Sequence, residues 1–226
     1  SKLDCEGTAL IVVDMQNGYL HPEGSFARLW PEAAKKNVES PLVIRDPIEA
    51  GKQFDLTLLR RAIPGSGRLI GAAREVGVPV IYLTYVYRPD YRDGGVLIQE
   101  INPAFKDVGY VTDGSWDAEI VDELKPQDGD IIVKKSRYSG FHATRLETVL
   151  RSLHVETLVM CGVGTHHCVQ CTARDAHMRD YRTFVVQDAT DEANEVWKQT
   201  SLASFAYGFG WVVNVEDVEQ AWNVGT

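Results

Sequence analysis

Short apolar runs punctuate the chain at "ALIVV" (9–13), "VPVIYL" (78–83), "DIIV" (130–133), "ETLVMC" (156–161), "TFVVQ" (183–187) and "GWVVNV" (210–215). Each is nearly all apolar with little polar alternation, the pattern of a strand covered on both faces, as in a parallel sheet. Between the runs, "SGRLIGAAREVG" (66–77), "SWDAEIVDEL" (115–124), "TRLETVLRSLH" (144–154), "CVQCTARDAHMRDY" (168–181) and "DEANEVWKQTSLASFAYG" (191–208) carry apolar residues at helical spacing. Strands and helices alternate, and parallel neighbours need the right-handed crossovers that helices supply. The expected architecture is α/β: a single Rossmann-like domain over residues 1–226, with a six-stranded, mainly parallel sheet covered by helices on both faces. Two stretches lack periodicity, 20–60, with Pro31, Pro41 and Pro47, and 86–113. Loops this long are uncommon unless functional, which makes both candidate lids or subunit contacts.

Composition narrows the class of function. At 226 residues, with 44% hydrophobic and 24% charged, the chain can bury one sizeable core and has no disordered or fibrous signature. Acidic residues outnumber basic ones 32 to 23, a formal net charge of -9, which argues against a nucleic-acid partner and for a small molecule. No apolar run approaches the roughly 20 residues of a membrane helix, and no signal-peptide core precedes Asp4, so no membrane partner and a cytoplasmic location are expected. Four cysteines, Cys5, Cys161, Cys168 and Cys171, are too few for a disulfide framework and are expected to be reduced.

Chemistry gathers at the ends of the runs. Asp14 follows the first, Lys134 and Lys135 the third, and "GVGTHHC" leads from the fourth to Cys168. Ligands of open parallel sheets bind beyond the carboxyl ends of the strands, so these residues are candidates for one site. A thiol entering a helix meets free N–H groups that favour a thiolate and hold an oxyanion. Asp14 can take the thiol proton while Lys135 keeps Asp14 ionised. Ordinary readings exist for each: a turn aspartate, a solvated "KKSR" cluster, a small core cysteine. Cys168-Val-Gln-Cys171 also spells a C-x-x-C, which leaves open a dithiol oxidoreductase, and the fold alone leaves open a noncatalytic binding protein. His166 and His167 are not expected to share a metal ion, since consecutive residues at a helix entry point in different directions. Tyr85 and Tyr87 alternate with Val86 and should face one side as a cavity wall, whereas Trp197, Phe205 and Tyr207 read first as core or oligomer residues.

Three blocks, "ALIVVDMQNGY" (9–19), "GDIIVKKSRYSGF" (129–141) and "GVGTHHCVQCTARDA" (162–176), resemble in order and spacing the signatures of the isochorismatase-like cysteine hydrolases. The resemblance implies a catalytic triad of Asp14, Lys135 and Cys168, with Lys134 the poorer match. It also implies a cis peptide at Val163–Gly164 and an oxyanion hole from the N–H groups of Gly164 and Cys168. Within the family the segment 114–141 is similar to the ureidoacrylate amidohydrolase branch, and more distantly to biuret, N-carbamoylsarcosine and nicotinamide hydrolases. "LTYVYRPDY" (83–91) departs from that branch, with tyrosines in place of an Asn and a Trp. The expected substrate is a small ureido or amide compound, cleaved at a C–N bond through a thioester with release of ammonia. Its expected contacts are Asn17, Tyr19, Tyr85, Tyr87, Tyr138 and Ser139, with Arg137 a weaker candidate. The metal-binding histidines of nicotinamidases have no counterpart between His21 and His142, so neither metal nor other cofactor is expected. The resemblance further implies a homo-oligomer, a dimer or tetramer.

Overall fold

The computed structural model describes residues 3–31, 34–35, 38–39 and 53–224. Six parallel strands form the main sheet: β1 Thr8–Val13, β4 Val80–Tyr85, β5 Ile131–Lys135, β6 Thr157–Val163, β7 Arg182–Asp191 and β8 Trp211–Val213, in the order β5-β4-β1-β6-β7-β8. A two-stranded ribbon, β2 Val38–Glu39 with β3 Gln53–Phe54, stands apart from it. The chain starts in the middle, builds outward to β5, returns past β1 to β6 and builds outward again. The crossover therefore reverses between β1 and β6, and the crevice beyond their carboxyl ends is where such a sheet binds ligands.

Burial follows the sequence pattern. Every residue of β1, β4 and β6 is buried, so both faces of the sheet centre are covered. Helix α3 (Ala62–Val76) crosses β7, β6, β1 and β4 with α7 (Val215–Ala221) beside it. Helices α5 (Gln170–His177) and α6 (Glu195–Gly208) pack on each other and on β7, and α4 (Leu146–Ser152) precedes β6. Edge strand β5 alternates instead, with Ile132 and Lys134 outward and Val133 and Lys135 buried. No helix among the described residues is long and apolar enough to cross a membrane.

One expected helix does not form. Residues 115–124 make only two single turns, Trp116–Ala118 and Asp122–Leu124, joined by an extended strap. The strap's backbone serves the exit of β1: Asn17 N donates to Glu119 O at 2.9 Å and Val121 N to Met15 O at 3.0 Å. Those tertiary bonds compete with intrahelical ones and outweigh a helical pattern only ten residues long. The excursion at 86–113 turns inward and buries Tyr87, Tyr91, Phe105 and Tyr110. Of the 20–60 excursion, short helices α1 (Asn17–Leu20) and α2 (Ser25–Leu29) and the β3 approach are described. The centre of the lid expected there lies outside the described residues.

Candidate active site

Strand parity selects the lysine. Lys134 and Lys135 sit opposite Thr84 and Tyr85, and successive side chains leave opposite faces. Lys134 points outward to Asp113, 2.6 Å away, while the Lys135 side chain is fully buried and passes 4.1 Å over the Tyr85 ring. Its ammonium donates to Asp14 Oδ2 at 2.8 Å, to Cys168 Sγ at 3.2 Å and to Arg137 O at 3.3 Å. Three strand ends thus deliver a carboxylate, an ammonium and a thiol to one point, all buried.

Local geometry explains the convergence. Asp14 takes a left-handed backbone conformation (φ 51°), so the chain turns as soon as β1 ends. Gln16 clamps that turn to β4, its Oε1 accepting from Tyr85 N at 2.7 Å and its Nε2 donating to Tyr85 O at 2.9 Å. Gly162 (φ 111°) lies so close to β1 that a Cβ would stand 2.1 Å from Val13 O, and the Val163–Gly164 peptide that follows is cis. Cys168 then falls within a wide π-type turn, Thr165–Val169, rather than in the regular first turn of α5.

Burial dominates the electrostatics. It pushes the Cys168 thiol well above its ordinary value, as does the neighbouring Asp14 charge, and Lys135 opposes both. Burial and the Asp14 charge thus oppose the thiolate that a helix start alone would favour. Burial likewise raises Asp14, against the pull of the Lys135 charge. For Lys135 burial works against the ammonium, but Asp14 and Cys168 outweigh it and hold its pKa above the lysine value. Asp14 Oδ1 accepts no hydrogen bond from the described groups, which leaves a basic oxygen unengaged beside the thiol. Passing one proton from Cys168 to Asp14 keeps the summed charge of the triad constant, so no net charge is created in the interior.

A cavity of about 110 Å³ opens onto Asp14 and Cys168. Tyr19, Tyr85 and Tyr138 line it as expected, and so does Gly164. Three expected contacts do not. Asn17 donates its amide to Trp116 O at 3.0 Å and anchors the strap. Tyr87 stands behind Tyr85, their hydroxyls 2.7 Å apart. Ser139 donates to Asp175 Oδ2 of α5 at 2.5 Å and receives Phe141 N at 3.1 Å within the loop that follows β5. Arg137 is likewise occupied, donating to Asp93 O at 2.8 Å and Ser136 O at 2.6 Å.

The wall contains residues that the sequence pattern left unassigned. Phe26, Phe105 and Tyr110 stack in parallel, with centroids 4.2 Å apart for Phe105 and Tyr110, and Trp30, Phe54 and Trp197 continue the aromatic surface. They come from four separate segments, so no local motif announces them. Of the three residues expected in the core or an oligomer contact, Trp197 packs against the core and lines the cavity, Phe205 is buried and Tyr207 is exposed. Glu192 was also missed. It is buried at the end of β7 and accepts from His166 Nδ1 at 2.7 Å, with His167 Nδ1 at 3.7 Å. The expectation that the two histidines diverge fails, because the π-type turn brings their rings to 3.6 Å between centroids. Burial alone would raise Glu192, but the His166 hydrogen bond and the neighbouring His167 imidazole hold its pKa well below the carboxylate range.

Residues 8–217 match the isochorismatase domain model. The chain belongs to the isochorismatase family. It is 34% identical over 235 residues to ureidoacrylate amidohydrolase RutB of Methylobacterium radiotolerans, covering 98% of this chain and 82% of that one. Among solved structures it resembles a cysteine hydrolase from Pseudomonas syringae pv. phaseolicola, with a TM-score of 0.76, 29% identity and coverage of 98% and 95% of the two chains. It also resembles N-carbamoylsarcosine amidase from Thermoplasma acidophilum, with a TM-score of 0.64, 28% identity and coverage of 92% and 96%. This isochorismatase-family chain is a hydrolase, and the parallel six-stranded sheet described above is the fold it shares with those neighbours.

Proposed function

We propose that the chain is a cysteine-dependent amidohydrolase that cleaves a C–N bond of a small ureido or amide compound. The observation that carries the reading is the contact of one buried ammonium with both Asp14 and Cys168, at 2.8 and 3.2 Å, where those two residues line a cavity. Cys168 Sγ attacks the carbonyl carbon as its proton passes to Asp14. The N–H groups of Gly164 and Cys168 receive the oxyanion. Asp14 returns that proton to the leaving nitrogen, the C–N bond breaks, and ammonia or an amine departs from a thioester. Water then adds to the thioester, giving a proton to Asp14. The C–S bond breaks, the acid or carbamate leaves, and the Asp14 proton restores the thiol. A carbamate product decomposes to carbon dioxide and ammonia.

Lys135 stays an ammonium throughout and balances whichever of its two neighbours is anionic. The aromatic wall supports a substrate whose carbonyl substituent is flat and largely apolar. Ammonia release from ureidoacrylate, biuret, triuret, N-carbamoyl amino acids and nicotinamide, with Cys168→Ser as the control, tests class and substrate together. Turnover that survives in the control removes the covalent mechanism. Silence across the panel favours a noncatalytic binding protein.

A further inference from the structure

The mechanism leaves one cluster of buried chemistry unused. Where β7 ends, Glu192 turns its carboxylate back beneath the turn that carries Cys168, and His166 and His167 meet it there. The ligand atoms of the three side chains lie within 4.8 Å of one another. Among the described residues no lysine or arginine pairs with Glu192, so the only side-chain partners of this buried anion are two imidazoles. Burying a carboxylate is costly unless a cation or several donors accompany it, and imidazoles supply either: a proton, or a lone pair for a metal ion.

We infer that His166, His167 and Glu192 form a site for a zinc-like divalent ion, with its remaining coordination position facing the cavity that holds Cys168. Two imidazoles and one carboxylate are a set that zinc accepts in open sites. Tetrahedral bonds of about 2.0–2.1 Å place ligand atoms about 3.3 Å apart. The separations of 2.7 and 3.7 Å from Glu192 Oε2 to the two Nδ1 atoms bracket that value. Rotations that move these atoms by less than about 1 Å exchange the His166 hydrogen bond for two metal bonds. The nitrogen and oxygen donors favour zinc, cobalt or nickel over calcium and magnesium.

The carboxylate is held in place before any ion arrives. Its Oε1 receives Ala193 N at 2.9 Å. The preceding Asp191 is gripped by Arg61 at 2.8 and 2.9 Å and by Lys198 at 3.2 Å. Gly164 completes the seat, because a Cβ there would come within 2.6 Å of Glu192 Oε2. Outer contacts of this kind orient a ligand and strengthen its metal bond.

The test does not depend on turnover. The full chain, stripped with a chelator, is titrated with Zn2+ by calorimetry and with Co2+ by visible absorption. The expected result is one ion per chain, with a cobalt spectrum free of thiolate charge transfer. Glu192→Gln and His166→Ala should each weaken binding by more than about tenfold. Cys168→Ser should leave it unchanged, and His167→Ala provides a partly exposed ligand variant should Glu192→Gln fail to fold. No stoichiometric binding, binding that survives loss of His166 and His167, or binding lost with Cys168 alone would each overturn the inference. Failure of the amidohydrolase reading would leave these titrations unaffected.

Discussion

Replacing Lys135 with methionine separates the stabilising role of the ammonium from the catalytic one proposed for it. The side chain is fully buried and Asp14 nearly so, 2.8 Å away. At an effective dielectric of about 20 their attraction is about 6 kcal/mol before desolvation is subtracted. Methionine keeps the volume and leaves Asp14 as a buried charge without a partner, a one-sided break that costs about 3–5 kcal/mol. For a chain of this size that corresponds to a fall in Tm of about 6–20 °C. The variant can relieve the strain by protonating Asp14, but the carboxyl then no longer accepts the thiol proton. Turnover should therefore fall by more than about a thousandfold, and alkylation of Cys168 at neutral pH should slow with it. The paired variant Asp14→Asn with Lys135→Met removes both charges, so its stability should return to within about 1–2 kcal/mol of the wild type while activity stays absent. Thermal melts and single-turnover assays on the three proteins decide the matter. Equal stability of the single and paired variants, or turnover of Lys135→Met within tenfold of wild type, would refute the reasoning.

Cys171→Ser should keep turnover within about twofold, because Cys171 does not line the cavity, whereas a dithiol oxidoreductase would lose its activity; the same ammonia assay reads both outcomes. Trp197→Ala should raise KM by about 10–100-fold with kcat little changed, as expected for an aromatic substrate contact worth about 1.5–3 kcal/mol, and a fall in kcat alone would contradict the assignment to the wall. Glu192 has its folded pKa lowered from 4.5, so its ionisation stabilises the fold above that pH and the contribution fades as pH falls through the folded value. Urea melts of wild type and Glu192→Gln should accordingly differ most at neutral pH and converge on acidification; a gap that widens in acid would mean the sign is wrong.

Much of the fold was legible because its determinants are local. Nearly all-apolar runs of four to six residues mark strands, and all six runs became strands of one sheet, though only β1, β4 and β6 are buried along their whole length while the edge strands β5 and β8 are partly exposed. The same periodicity failed at 115–124, where backbone donors found tertiary acceptors at the exit of β1 that no window of sequence contains. The convergence of the three side chains of the proposed triad was legible as well, since Asp14, Lys135 and Cys168 each stand at a strand end or just beyond one. Parallel topology carries all such ends to one side of the sheet.

What the linear pattern could not supply is whatever depends on segments distant in the chain. Asn17 and Ser139 carry suitable polar groups, but each spends them on a neighbour that only folding brings near, namely the Trp116 carbonyl and the Asp175 carboxylate, whereas Tyr87 spends its hydroxyl on Tyr85, two residues away. Glu192 and the aromatic wall went unread for the converse reason: their partners lie tens of residues away, and a lone acid or phenylalanine carries no periodic signal. The acidity of Cys168 also belongs to the tertiary level. A helix start favours thiolate by a local dipole, yet complete burial beside Asp14 outweighs it, and burial is a property of the packed chain alone.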